Sequence, residues 1–423
     1  MNELKKWLER KEILAIKGPR RSGKTTLLNL FMEWMITEKN IKKENITFLT
    51  FEDLDIREKF HVNAKELISS LIINKNEEHY FLMDEYHYVK DGGQKLKFLY
   101  DTMENVKFII TGSSSLEIDD MSKHLVGRIF MFYLFPLNFG EFLGAKDRRL
   151  HEIYISRNNA VKEFLLEGKN FDIKDDIFVD DFSRLFEEFM IFGGYPEVVK
   201  SQTDEEKQII LKNTYETYIA RDVEGLLRIT YEFKFRKLLS LLSSQAGNMI
   251  NYNELASLCN SNYKEILGFL NILEQTYIIK LLRPFHKNLR TELVKNPKVY
   301  LIDTGMRNMM INDFAPLETR SDKGSIAENI IFSQLFSIVK DFYRMNYWRT
   351  LAKAEVDFVL NISNNYIPIE VKFQKFKEPA ISRSFRSFIS AYNPKRAMIC
   401  TKNLWGEMKI NNTIIKFVPV CYL

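Results

Sequence analysis

The chain has 423 residues, 45% hydrophobic and 28% charged, which excludes wholesale disorder and, by its length, a single hydrophobic core. The formal net charge of +5 hides an asymmetry: residues 1–230 carry 34 basic against 40 acidic side chains, and residues 231–423 carry 27 against 16, so the two stretches stand at −6 and +11. An acidic front and a basic back point to two tasks, with a polyanion as the expected partner of the back.

Cys259, Cys400 and Cys421 are too few and too scattered for a disulfide framework or a zinc site, and the six histidines show no ligand spacing. MNELKKWLERKEIL reads as a charged amphipathic stretch rather than a signal peptide, and the apolar run IFMFYLFPL is too short to span a bilayer. A cytoplasmic chain without a membrane partner is expected.

Residues 1–145 alternate apolar runs (ILAIKG, ITFLTFED, YFLMDE, VKFIITGSS, IFMFYLFPL) with helical patterns, which predicts a parallel sheet with crossover helices. Between the first run and its helix, Gly18-Pro19-Arg20-Arg21-Ser22-Gly23-Lys24-Thr25 matches G-x-x-x-x-G-K-[ST] in the context that motif requires. The two glycines allow a tight turn whose N–H groups surround phosphate at a helix N-terminus, continuing into Thr26. Lys24 can neutralise the outer phosphates and the Thr25 hydroxyl can ligate Mg²⁺. YFLMDE ends in Asp84, suited to hold Mg²⁺ through water, and Glu85, suited to polarise an attacking water. VKFIITGSSS is expected between these two strands, with Ser113 or alternatively Ser114 near the γ-phosphate, unless the serine merely caps a helix. Arg128 and Arg221 are candidates to approach a nucleotide, in cis or from a neighbouring chain.

Residues 146–230 read as a helical lid subdomain, broken at Gly193-Gly194-Tyr195-Pro196. Residues 231–319 show three helical patterns, then YIIKLLRPF and KVYLIDTG around a basic loop, the order of a winged helix-turn-helix. In that reading Asn260, Asn262, Tyr263 and Lys264 contact DNA, while Arg283, Lys287, Arg290, Lys295 and Lys298 ride over phosphate. The same segment can equally serve as a spacer. A last α/β unit, residues 320–423, carries 16 basic against 8 acidic residues.

In that unit, period-two alternation places Ile369, Val371 and Phe373 on one face of YIPIEVKF, leaving Glu370 and Lys372 on the other. In AEVDFVL, Val356, Phe358 and Leu360 share a face and Asp357 points away. If the strands pair, Asp357 and Glu370 can form a Mg²⁺ site that Glu328 completes, and Lys372 can orient a water against a phosphodiester. This arrangement is similar to the PD-(D/E)XK nuclease fold.

Taken in order, GPRRSGKTTLL, LMDE, TGSSS, GRIFMFYLFPLNFGEFL, GGYPEVV and ARDVEG resemble a group of archaeal and bacterial AAA-type ATPases. Those proteins join a P-loop switch ATPase to a winged-helix segment and a nuclease-like domain. The resemblance covers nearly the whole chain, most specifically residues 14–141 and 324–373. It implies an α/β fold with an AAA-type P-loop core (1–145), ATP as the nucleotide, Asp84 and Glu85 as the Walker B pair, and Arg128 as an arginine finger. The expected function is an ATPase coupled to nucleic acid, DNA before RNA, with metal-dependent cleavage. The alternatives are an ATP-switched DNA- or protein-binding regulator with a silent nuclease-like domain, and a sensor ATPase that forms homo-oligomers.

Overall fold

The structure, a computed structural model, describes residues 1–113, 123–173, 176–223, 232–285, 296–339 and 343–423. It comprises two compact units, residues 1–136 with 275–277 and residues 137–274 with 278–423. No helix among the described residues is long and apolar enough to cross a membrane.

The first unit is built on β1 (Ile13–Lys17), β2 (Ile46–Thr50), β3 (His79–Asp84), β4 (Val106–Gly112) and β5 (Ile129–Tyr133). All neighbours pair in parallel, in the order β2-β3-β4-β1-β5. The central strands β1, β3 and β4 are buried along their whole length, which is why they read as unbroken apolar runs. Alternation still divides them between two faces. Ala15, Phe81 and Phe108 pack with Phe60 and Leu96, while Leu14, Ile16, Leu82 and Ile109 pack with Leu28, Phe31 and Met35 of the helix Lys24–Thr37. The C-terminal ends of β1, β3 and β4 therefore share one edge, where ligands bind in open parallel sheets.

The second unit begins with helices, among them Phe139–Lys146, Arg148–Glu167 and Val179–Phe192. Three more helices, Glu232–Ser244, Tyr252–Leu258 and Tyr263–Gln275, lead into the antiparallel pair β6 (Ile279–Leu282) and β7 (Lys298–Leu301). The chain ends in a mixed sheet of β8 (Arg344–Arg349), β9 (Glu355–Ile362), β10 (Asn365–Lys372), β11 (Arg396–Thr401), β12 (Gly406–Ile410) and β13 (Thr413–Pro419). Its order is β12-β13-β11-β10-β9-β8. One hydrophobic core joins Phe139, Tyr154, Phe182 and Phe186 of the early helices to Phe358, Ile369, Met398 and Tyr422 of the last segment. The helices expected as a lid thus bury their apolar faces against the C-terminal sheet.

The break at Gly193-Gly194 has a steric cause. Gly193 has φ of 72°, and a Cβ on Gly194 would lie 2.0 Å from the Leu137 carbonyl oxygen. Two strands, β8 and β12, have no counterpart among the apolar runs. Both are sheet edges with partly exposed, polar-rich sequences.

Candidate active site

The phosphate loop leaves β1 at Lys17 and turns through Arg21 (φ 59°) and Gly23 (φ 96°) into the helix Lys24–Thr37. Gly18 has no substitute, because a Cβ there would lie 1.9 Å from the Leu134 carbonyl oxygen. Lys24 is buried, and its ammonium donates to the Gly18 and Pro19 carbonyls at 3.1 and 2.9 Å. Arg20 donates to the Tyr88 hydroxyl at 3.0 Å. Thr26 is exposed behind Thr25.

Asp84 closes the site from β3. One of its oxygens accepts from Thr25 Oγ1 at 2.7 Å and the other from Thr111 Oγ1 at 2.5 Å. Thr111 in turn accepts from the Glu85 N–H at 3.0 Å, so the first turn of the helix Lys24–Thr37 and the tips of β3 and β4 are tied together. Glu85 sits in the left-handed region (φ 52°), a conformation that a non-glycine residue holds only when its surroundings impose it. Its carboxylate lies 2.9 Å from His87 Nδ1. Burial alone would raise the Glu85 pKa, but the His87 bond and the Lys24 and Arg20 charges outweigh it and hold the carboxyl below its ordinary range.

The residues fit a magnesium nucleotide. The buried Ser22 and Ser113 hydroxyls, one in the loop and one beyond β4, have no hydrogen-bond partner among the described residues. Thr25 and Asp84 are already adjacent, as two groups bound to one hydrated cation must be. Sequence reasoning put the polar contact of β4 at Ser113 or Ser114. Thr111 makes the bonds to Asp84 and Glu85 N–H, Ser113 lies buried beyond it, and Ser114 is outside the described residues. The register would have found Thr111: Met83 pairs with Ile110, so Asp84 faces the next residue.

Arg128 does not reach this site within one chain. It immediately precedes β5, whose Ile129 pairs with Ile13 at the start of β1, and so stands at the opposite edge of the sheet, about 16 Å of strand away. There it donates to Asp101 at 2.9 Å. The side chain of Arg221 lies outside the described residues.

The C-terminal carboxylates gather where β9 and β10 part. The register ends at Ile369 opposite Phe358, and Asp357 then accepts from the Val371 N–H at 2.7 Å. Ile367, Ile369 and Val371 face the core beneath the helix Lys323–Ile338, which carries Glu328. Glu370 is turned the other way, 2.8 Å from Lys372 Nζ and accepting from Ser382 at 3.0 Å. The expected common face of Val356, Phe358 and Leu360 is broken. A register shift between Asn346 and Trp348 of β8 moves Val356 into the core on the other side of the sheet.

The structure also brings up two partners absent from the sequence reading of this site. Lys298, expected on a wing over phosphate, is instead 2% exposed, with its ammonium 2.6 Å from Glu355 and 3.2 Å from Glu328. Glu355 is held further by Arg349 at 2.7 Å, and Glu328 by the Tyr300 hydroxyl at 2.6 Å. Burial and the Asp357 charge push Glu328 up to about 7, and burial raises Asp357 and Glu370 as well. Glu328, Asp357 and Glu370 do not fit a divalent cation as they stand. Every one has an internal partner, and among the described residues no group of three such side chains is placed to hold a metal.

Of the expected DNA contacts, Tyr263 and Lys264 are exposed on the helix Tyr263–Gln275, whereas the Asn262 side chain accepts from the Glu265 N–H and caps that helix. Asn260 takes a left-handed turn (φ 48°) before it, and Arg283 follows β6 with its carbonyl accepting from Tyr347 N–H. Lys287, Arg290 and Lys295 are outside the described residues.

With that geometry in place, residues 10–143 match the family profile described as "AAA domain", so the first unit carries an AAA-type P-loop domain. Residues 183–317 and 323–423 match two profiles described as domains of unknown function, DUF8612 and DUF4143. The chain is similar to an uncharacterized protein of Haemophilus influenzae, 24% identical over 369 residues, 86% of this chain and 82% of that protein. It is 27% identical to an uncharacterized protein of Methanocaldococcus jannaschii over 77% of this chain and 66% of that one. Among solved structures it overlaps the Aeropyrum pernix ORC1 protein in complex with DNA, 11% identical, over 74% of this chain and 91% of that chain, with a TM-score of 0.30. The overlap is partial, and the domain assignment rests on the chain's own strand order, phosphate loop and profile match. The AAA match supports ATPase function.

Proposed function

We propose that the chain is a Mg²⁺-dependent ATPase whose nucleotide state switches a nucleic-acid-binding second unit. The observation that carries it is the tie between Thr25, Asp84 and Thr111, with Glu85 beside it. Thr25 and Asp84 would hold Mg²⁺, which when bound offsets phosphate charge. Gly18 to Thr26 would wrap the phosphates, with Lys24 leaving the Gly18 and Pro19 carbonyls for phosphate oxygens. Glu85, kept ionised, would orient the attacking water and take its proton. Arg128 would act only on the nucleotide of a neighbouring copy, in a homo-oligomer.

The second unit supplies the binding surface. Residues 231–423 carry the +11 charge, and Arg383 and Arg386 stand exposed on a helix whose Phe385, Phe388 and Ile389 are buried. A winged-helix reading of residues 231–319 adds Tyr263 and Lys264. Duplex DNA is the expected ligand. A second reading, metal-dependent phosphodiester cleavage by Asp357, Glu370, Lys372 and Glu328, is favoured by Lys372 Nζ standing 2.8 Å from Glu370 on the strand whose Val371 N–H is bound by Asp357. The internal pairing of those carboxylates opposes it.

The test is a pair of variants. Lys24→Ala should lose ATP binding, and Glu85→Gln should keep ATP affinity while losing turnover about 10²–10⁴-fold. Wild-type ATP affinity in Lys24→Ala would overturn the phosphate-loop assignment.

A further inference from the structure

We propose that Glu328, Glu355 and Asp357 form a cation site whose resident cation is the Lys298 ammonium, so that the chain's own side chain fills the position a metal ion would take. This goes beyond the ATPase reading and does not depend on it.

Lys298 opens β7, and its main chain is pinned from two sides, by pairing with Leu282 and by a bridge to Met249. A buried ammonium must be matched by anions, because removing it from water without a partner is prohibitive. Here it reaches Glu355 at 2.6 Å and Glu328 at 3.2 Å and interacts electrostatically with Asp357. The Tyr347 ring packs 5.6 Å from its nitrogen, and Gly247 brings main chain so close that a Cβ there would lie 3.4 Å from the Glu328 carboxyl.

The charges of the neighbourhood are also offset locally to within one negative charge. Four carboxylates (Glu328, Glu355, Asp357, Glu370) face Lys298, Lys372 and Arg349. A divalent ion requires oxygens converging at about 2.0–2.6 Å, whereas both Glu355 oxygens are engaged by Lys298 and Arg349, Glu328 Oε1 by Lys298 and Tyr300, and Asp357 Oδ2 by the Val371 N–H. Binding it would expel the ammonium into a surround of tyrosine rings. Glu370, turned toward Ser382 on the other face, is paired separately with Lys372. The arrangement is therefore a closed ion cluster, with a cation site made visible by removing one residue.

The experiment is a Mn²⁺ titration of the nucleotide-free full chain by electron paramagnetic resonance, alongside melting curves. The wild type should show no Mn²⁺ binding at submillimolar concentration that Asp357→Asn removes, and its melting temperature should not respond to Mn²⁺. Lys298→Met should melt several degrees lower, gain one bound Mn²⁺ per chain, and regain stability as Mn²⁺ is added. Adding Asp357→Asn to Lys298→Met should remove the gained ion. A wild-type Mn²⁺ site that Asp357→Asn abolishes would overturn the proposal and restore the metal-dependent reading. A folded Lys298→Met chain without bound Mn²⁺ would overturn it too. If Lys298→Met does not fold, the comparison of wild type with Asp357→Asn decides alone. ATP turnover, carried by the first unit, reports separately on the ATPase reading.

Discussion

Asp303 gives the sharpest quantitative expectation. Its carboxylate begins the helix Thr304–Ile311, accepting from Met306 N–H at 2.8 Å, and also receives Gly194 N–H at 2.7 Å. It thereby clamps the Gly193-Gly194 turn, where a Cβ on Gly193 would come within 2.4 Å of both carboxylate oxygens. Burial raises its pKa from 3.8 to about 6, against the downward pull of the Gly194, Met306 and Gly305 N–H groups. Between those two values the folded chain holds a proton that the unfolded chain has released, so stability falls as pH rises through the window. A shift of about two units is worth about 3 kcal/mol in total, of which about 1.3 kcal/mol is lost between pH 5 and pH 7. Asp303→Asn cannot titrate. Urea unfolding of both proteins at pH 5, 6 and 7 should therefore show the wild type losing about 1.3 kcal/mol relative to the variant, other groups cancelling in the difference. A difference that stays level across this range would mean that the three N–H groups outweigh burial, and the reasoning would fail.

The nucleotide and nucleic-acid sites carry two further expectations. Thr111→Val removes the bond to Asp84 and the acceptor of Glu85 N–H, so single-turnover ATP hydrolysis should fall about 10–100-fold with ATP affinity retained; a wild-type rate would remove Thr111 from the site. Duplex DNA binding by the full chain should weaken steeply with salt, and Arg383→Glu with Arg386→Glu should lower the magnitude of the log–log slope by about 2. An unchanged slope would place the DNA surface elsewhere.

What was legible in the sequence follows what burial makes legible. β1, β3 and β4 lie inside a parallel sheet, so their burial on both faces writes itself as apolar runs, and the phosphate loop and Asp84 follow from where those runs end. β8 and β12 are edges, where only part of each strand is covered and the residues resemble loop. Two basic residues are placed only by the fold. Arg128 precedes a parallel strand and so stands at the edge away from the phosphate loop of its own chain, which leaves the approach from a neighbouring chain of the two expected. Lys298 was assigned by its neighbours, as one more base in a basic loop. Its strand KVYL is buried at all four positions, and a lysine at the head of such a strand needs carboxylates from elsewhere in the chain. Those carboxylates are Glu328 and Glu355, the first 30 residues further along. No local pattern joins them, because the ion cluster exists only once β7, the helix Lys323–Ile338 and β9 are packed together. A strand that is apolar apart from one charged residue therefore carries information that a charge count discards: that charge must be matched from elsewhere in the fold, and here its partners are Glu328 and Glu355.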